Sequence, residues 1–445
     1  MRRFLRHPVR LVPLGFLVAI LFGTAALMLP LATIEEEKGA PFVTALFTAT
    51  SAISVTGMAV TDTPHYWSGF GLALITVFTQ LGGLGILTGA ALVILTVSRQ
   101  LGLRNRLLVQ AESAEYGPGD IRRLLLRIAA TVLACEAVMT VIIFGRLWLA
   151  YDYPPWHALW SATFHSVQAF NSGGFSLYSH GLLGFSRDPW ILLPLTLGAI
   201  IGSLGFPALF EAARGWRRPI HWAVATKLTI WGTLVLLVAG SLILLIAEWT
   251  NPETIGRHGV AGKVMDAFSQ LALGRTAGFE VVPTTAFREE SYFVLIALMF
   301  IGGGSASTTG GIKVTTFFLL AFVIWAELRG EPDVTVGQRR VATSSQRQAI
   351  TVALLSVAVV TLGTFTLILT VEPVAFYRSL FEVTSAFSTA GLSVGLAPSL
   401  PADGQLLLAA LMYIGRVGPL TLGSAIALNT RRRLYRYPEE QPIVG

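Results

Sequence analysis

Four short stretches hold the residues best suited to chemistry, and what they offer is backbone. Val55-Thr56-Gly57, Ser172-Gly173-Gly174, Thr276-Ala277-Gly278 and Thr389-Ala390-Gly391 each sit near the end of a fourteen-residue segment. The segments are ALFTATSAISVTGM (45–58), ATFHSVQAFNSGGF (162–175), DAFSQLALGRTAGF (266–279) and SLFEVTSAFSTAGL (379–392), and they align without a gap. Phe is third in each (Phe47, Phe164, Phe268, Phe381) and the shared Gly is thirteenth. The first part of each segment reads as a short helix, whose C-terminal end carries partial negative charge. An extended backbone after it, kept open by Gly and small residues, could turn carbonyl oxygens towards a common axis. Rings of such oxygens can replace the water around a dehydrated monovalent cation. A cage without formal charge suits a K⁺-sized ion better than Mg²⁺, which gives up water reluctantly. The bland alternative for any single copy is close helix packing through Gly and Ala. Four gapless copies favour the cage.

The rest of the chain reads as scaffolding for these segments. The 445 residues are 53% hydrophobic and only 13% charged, where a soluble domain has roughly a quarter charged. Apolar runs of about 20 residues, enough to cross a bilayer core, recur along it. Spans are expected near 11–32, 68–98, 122–149, 190–212, 223–248, 291–327, 346–371 and 405–428. The first, after MRRFLRHPVR, is read as retained, because no small-residue cleavage site follows it. The shared glycines lie 117, 104 and 113 residues apart, the length of a whole supersecondary unit. The expected fold is therefore an all-α polytopic membrane protein. It has four covalently joined span–pore-loop–span units, eight transmembrane helices, with pseudo-fourfold symmetry round one pore. The unit boundaries are 1–98, 99–213, 214–328 and 329–428, with a tail at 429–445. Lys and Arg concentrate in residues 1–10, 99–127, 214–227, 327–347 and the tail, and acids dominate the opposite loops. The positive-inside rule then places both termini in the cytoplasm and lets the short segments enter from outside. The net charge of +7 is topogenic on this reading and needs no nucleic acid. The single cysteine, Cys135, excludes an intramolecular disulfide.

The second span of the third unit is interrupted by Gly302, Gly303, Gly304, Ser305, Ala306, Ser307, Thr308, Thr309, Gly310 and Gly311. Glycine at that density melts a helix, and the hydroxyls can satisfy the freed backbone. The stretch begins about 24 residues after Gly278, so it could lie across a pore as a gate; a Gly/Ser packing seam is the other reading. Lys313 closes the stretch, and Arg416 lies in an otherwise neutral span. A cation at membrane depth needs a partner or a wet cavity. Arg416 could donate to loop carbonyls and hold the gate shut, and Lys313 could do the same or snorkel to the cytoplasm. Arg275 and Glu382, at the depth of the ring, are expected to brace the loops, each with an acidic or amide partner or with each other. Glu136 reads as a packing or dimer-surface carboxyl.

SVTGMAVTD (54–62), QLGGLG (80–85), AFNSGGFSL (169–177), RTAGF (275–279), IGGGSASTTGGIKVTTF (301–317), FSTAGL (387–392) and IGRVGPLT (414–421) together resemble the membrane subunit of the Ktr potassium-uptake system, in the Trk/Ktr/HKT superfamily. The resemblance covers nearly the whole chain. The Trk branch usually carries a further pair of N-terminal spans, which points this resemblance to the Ktr branch. It implies a K⁺ selectivity filter at the four glycine ends and an intramembrane gating loop at 302–311 with Lys313 and Arg416. It further implies a homodimer in the bacterial inner (plasma) membrane, with promotion by Na⁺. The partner would be a cytoplasmic ring of RCK subunits binding ATP, ADP or NAD(H), so nucleotide would sit only on the partner. Its docking surface would be the basic loops and the tail. In HKT proteins a serine at the first filter glycine goes with Na⁺ transport; Gly57 stands there and implies K⁺. Only Gly is common to all four ends, so a less symmetric field than that of a tetrameric channel is expected.

Two rival classes remain. A secondary K⁺ symporter coupled to Na⁺ or H⁺ by alternating access also uses broken spans, but four similar units favour a pore. An intramembrane enzyme would need a coherent polar set such as HExxH or paired Asp, and the sequence has none. Walker and Rossmann glycine patterns are absent as well.

Overall fold

The computed structural model describes residues 8–35, 39–100, 118–371 and 374–428, and its regular structure is almost wholly helix. The long helices are Pro8–Leu27, Gly69–Gln100, Pro118–Ala150, Val224–Glu248, Thr343–Thr370 and Ala402–Leu428. Arg123–Ala150, Val224–Glu248 and Thr343–Thr370 are each long and apolar enough to cross a bilayer core unaided. Their outward side chains are apolar: Leu149 and Ile246 are each 75% exposed. In lipid every backbone group must find a partner within the segment, which is why such runs are helical.

Four shorter helices lie inside this cage: Phe42–Ile53, Pro155–Asn171, Val260–Thr276 and Phe376–Ser388. They have 12, 17, 17 and 13 residues. At 1.5 Å per residue they reach roughly 18–26 Å, short of a bilayer core of about 30 Å. Each packs between the helices that flank it in sequence. Each also meets a helix from the preceding stretch: Gly69–Gln100 packs on Pro155–Asn171, Pro189–Leu204 on Val260–Thr276, and Glu289–Phe300 on Phe376–Ser388. Ala402–Leu428 packs on Phe42–Ile53 and closes the circle. Phe47, Phe164 and Phe381 are fully buried, whereas Phe268 is half-buried.

Two of the expected spans are not continuous. Glu289–Phe300 stops at Ile301 and helix resumes only at Val314–Arg329, the break expected from the glycine run. A parallel bridge between Ile301 and Ile312 pinches the intervening loop at its neck. The fourth span, expected as one helix, is instead Pro189–Leu204 and Phe206–Gly215, bent by 99°. Gly205 at the bend has φ +86°, and Pro207 follows two residues later. The positive φ of Gly205 ends the first helix, and Pro207 sits in the first turn of the second, where its missing N–H costs no helical bond. A side chain at Gly205 would also overlap the Ser305 carbonyl oxygen. The first span ends at Leu27, followed by a tight turn at Pro30–Ala32, rather than running to residue 32. The strands among the described residues form one small hairpin, Thr335–Val336 with Arg339–Arg340.

Candidate functional site

The four short helices converge with their C-terminal ends together. Three end in the same way. Thr56, Gly173 and Ala390 donate their N–H to the carbonyl five residues back, at Ser51 (2.8 Å), Gln168 (2.7 Å) and Ser385 (2.9 Å). That closure places Val55, Ser172 and Thr389 in the left-handed region, at φ +56°, +64° and +49°. For β-branched Val55 and Thr389 this is a rare conformation, held by the packing around it. The sequence expectation of extended backbone directly after the helix is therefore corrected by one residue, because the exposed last-turn carbonyls must first be capped. The third helix runs one residue further, to Thr276, and Ala277 N–H bonds Leu273 at 2.7 Å.

Beyond the caps the four glycines meet. Gly57, Gly174, Gly278 and Gly391 all have positive φ, from +69° to +89°. A Cβ on Gly57 would overlap the carbonyl oxygen of Gly173. One on Gly174 would lie 2.5 Å from that of Ala277, and one on Gly278 2.8 Å from that of Ala390. One on Gly391 would overlap that of Thr56. Each glycine thus abuts the carbonyl just before the next glycine, and the series closes on itself. Both the sign of φ and the approach of a neighbouring backbone require glycine here.

In the second, third and fourth segments the chain leaving the glycine is anchored by its own short helix. Gln270 Oε1 accepts from Val281 N (2.7 Å) and Val282 N (3.0 Å). Glu382 Oε1 accepts from Ser393 Oγ (2.5 Å), Val394 N (3.0 Å) and Leu396 N (3.1 Å). His165 Nδ1 lies 2.7 Å from the Ser161 carbonyl, which makes Nδ1 the donor and leaves Nε2 to accept from Leu177 N at 3.4 Å. Glu382 therefore does brace its loop, through backbone amides. It does not pair with Arg275.

The glycine-rich loop lies directly against this ring. Thr389 Oγ1 accepts from Gly310 N at 2.8 Å, and Ser172 Oγ is 3.1 Å from Thr308 Oγ1. On its other flank the loop uses carbonyls freed by the bend at Gly205. Gly304 N donates to Ser203 O (2.8 Å) and Thr308 N to Gly202 O (3.4 Å). Within the loop, Thr309 Oγ1 accepts from Gly303 N (2.8 Å), and Ser307 Oγ donates to Gly304 O (2.7 Å). Ser307, Thr308 and Thr309 are buried and so satisfied, as hydroxyls in a broken membrane helix must be.

Three cations hold this loop by its carbonyls. Arg275 reaches back from its helix end to Ile301 O through Nε (3.0 Å) and Nη2 (2.9 Å), and to Gly302 O (2.7 Å). Its partner is the loop's own backbone, where an acid or amide was expected, because the broken helix leaves carbonyls unsatisfied nearby. Lys313 Nζ donates to Thr309 O at 2.6 Å. Arg416, 3% exposed, donates through Nη1 to Thr308 O and through Nη2 to Gly82 O at 2.9 Å. One side chain so ties the loop to two long helices.

Glu136 takes the packing side of its expectation. It is buried behind the second short helix, where Oε1 accepts from Asn171 Nδ2 at 2.8 Å. Asn171 immediately precedes the cap residue Ser172, and Gln80 lies within reach of both partners, 2.8 Å from Asn171 and 3.4 Å from Glu136. A lone acid in an apolar run needs a polar partner, and that is the only signal the sequence carries for this contact. Among the described residues, no group of three or more His, Cys, Asp or Glu could hold a metal ion. Of the basic segments, much of 99–127 and the tail lie outside the described residues.

The profile of the TrkH family, described as cation transport protein, matches residues 18–430. The chain belongs to the TrkH family. It is a membrane protein and a cation transporter, and the family's activity is transport rather than catalysis. It is 35% identical over 438 residues to the Ktr system potassium uptake protein B of Bacillus subtilis, covering 98% of this chain and 97% of that one. It is 29% identical to the potassium/sodium uptake protein NtpJ of Enterococcus hirae, over 98% of this chain and 97% of the other. The fold matches the crystal structure of the potassium transporter TrkH from Vibrio parahaemolyticus with a TM-score of 0.69. That match has 21% identity and covers 94% of this chain and 85% of the other.

Proposed function

We propose that this chain carries K⁺ into the cell through a filter made by the backbone of Val55-Thr56-Gly57, Ser172-Gly173-Gly174, Thr276-Ala277-Gly278 and Thr389-Ala390-Gly391. The observation that carries the reading is the closed series of glycines, each against the carbonyl that precedes the next. Four converging helix C-termini add partial negative charge at the same place. Each helix with its two flanking spans is one of four channel-like units round a single pore. The two relatives named above are a Ktr potassium uptake protein and a potassium/sodium uptake protein, which fits K⁺ as the ion and leaves a place for Na⁺.

The loop 302–311 is the gate. It sits against Ser172 and Thr389 at the ring and is held by Arg416 and Lys313. The basic loops face the cytoplasm in the bacterial plasma membrane, and the re-entrant helices enter from outside. The chain works as a homodimer on a cytoplasmic nucleotide-binding ring of RCK type, which pulls the gate open. The Ktr name of a 35% identical relative supports such a system partner.

The test is reconstitution in K⁺-loaded liposomes, with flux followed through a H⁺-coupled dye for K⁺, Rb⁺, Na⁺ and Li⁺. Wild type, Gly391→Ser and a deletion of residues 303–310 are run together. Passage of K⁺ and Rb⁺, loss of selectivity in Gly391→Ser and faster flux in the deletion support the reading. Flux that requires a Na⁺ or H⁺ gradient in every variant replaces it with the coupled symporter.

A further inference from the structure

On the face of the loop remote from the glycine ring lies a cavity of about 560 Å³. It is walled by the starts of the helices Val224–Glu248, Val314–Arg329 and Thr343–Thr370, the second of which resumes directly after the loop. Lys313, Arg340 and Arg416 line it, together with the hydroxyls of Thr316 and Ser345. No Asp or Glu is among its lining residues. Arg340 is the nearest to neutralised, with Nε 2.8 Å from Asp333 at the surface. Arg416 spends Nη1 and Nη2 on carbonyls, and its Nε is buried without an acceptor among the described residues. Lys313 spends one donor, on Thr309 O. A chamber lined by three cations, one of them paired with an acid outside the lining, and holding an orphaned guanidinium N–H, is a poor place for a passing cation and a well-formed one for an anion.

We propose that this cavity binds a phosphate-bearing anion, held between Arg340, Lys313 and the Nε edge of Arg416. Guanidinium donors and an ammonium suit the several acceptor oxygens of a phosphate group. Leu319 and Val352 add apolar wall, so a phospholipid headgroup with its chain along the spans and a free phosphate compound share the required chemistry. A bound phosphate draws the Arg416 and Lys313 head groups towards the cavity and so away from Thr308 O and Thr309 O. It thereby loosens the two tethers on the loop and favours gate opening. This second step rests on the gate reading above; the binding step does not.

The experiment separates both questions. The full chain is stripped of native lipid in detergent, and pyrophosphate binding is read by calorimetry. The same protein in nanodiscs is probed with phosphatidic acid in a phosphatidylcholine background, with bound lipid read by native mass spectrometry. Arg340→Gln, outside the loop, and Lys313→Gln are compared with wild type after size-exclusion chromatography confirms that each is folded. One charge-assisted hydrogen bond lost predicts weakening of about tenfold or more in each variant. Pyrophosphate binding assigns the site to a soluble phosphate, and phosphatidic acid retention alone assigns it to lipid. No binding of either, or binding unchanged in both variants, overturns the site. Binding that persists while K⁺ flux in matched liposomes is unchanged by the probe leaves the site standing and refutes its link to the gate.

Discussion

Replacing Arg416 by Gln tests the gate at its most constrained contact. The guanidinium donates to Thr308 O on the loop and to Gly82 O on the helix Gly69–Gln100, which on the proposed reading is the closed arrangement. Withdrawing the loop breaks the first bond and leaves the second, so only the first biases the gate. A hydrogen bond to a charged donor is worth about 1.5–3 kcal/mol, which corresponds to roughly a 10- to 150-fold change in the closed-to-open ratio. Removing a buried cation next to the path also lowers the barrier to another cation, in the same direction. Arg416→Gln should therefore raise passive K⁺ flux into liposomes at least about tenfold, provided wild type rests mostly closed. Bound protein is quantified per vesicle, and monodispersity is checked by size exclusion. Flux equal to or below wild type from folded Arg416→Gln would refute the latch.

Glu382→Ala leaves the N–H groups of Val394 and Leu396 without their acceptor; K⁺ over Na⁺ discrimination should fall, and Glu382→Gln, which keeps an acceptor oxygen, should restore most of it. Glu136→Ala removes one of three acceptors round the buried Asn171 amide, which keeps Gln80 Oε1 and Val167 O, at a cost of about 0.5–1.5 kcal/mol; a slightly lower melting temperature with reduced selectivity is expected, and an unchanged melt would show the contact to be dispensable. Gly205→Ala meets both a positive φ and the Ser305 carbonyl; the loop should shift, seen as faster leak of K⁺, and a variant with wild-type melt and flux would remove the bend from the gate assembly.

The glycine ring was legible because its demands are local. A positive φ and a neighbour's backbone at Gly57, Gly174, Gly278 and Gly391 admit one residue type, and the spacing repeats it. The break at 301–313 was legible for a similar reason, since its glycine density admits no helix. The break at Gly205 was not, because one Gly two residues before a Pro is common at the end of an ordinary membrane helix, and its use appears only when Gly202 and Ser203 carbonyls meet the loop. Contacts of charged side chains were the least legible. Arg275 binds carbonyls some 26 residues on, and Glu136 binds Asn171 35 residues on, and neither separation follows a helical period. Backbone carbonyls exposed by a broken helix are acceptors that no side-chain pattern records.

The central claim is that cations pass through the carbonyls before the four glycines. The most direct measurement is a crystal or cryo-microscopy structure of the protein in Tl⁺ or Rb⁺, with the ions located by anomalous or difference density. The account predicts density on the axis enclosed by the carbonyl oxygens of Thr56, Gly173, Ala277 and Ala390. Ions held only by side-chain carboxylates elsewhere in the membrane region, with that ring empty, would contradict it.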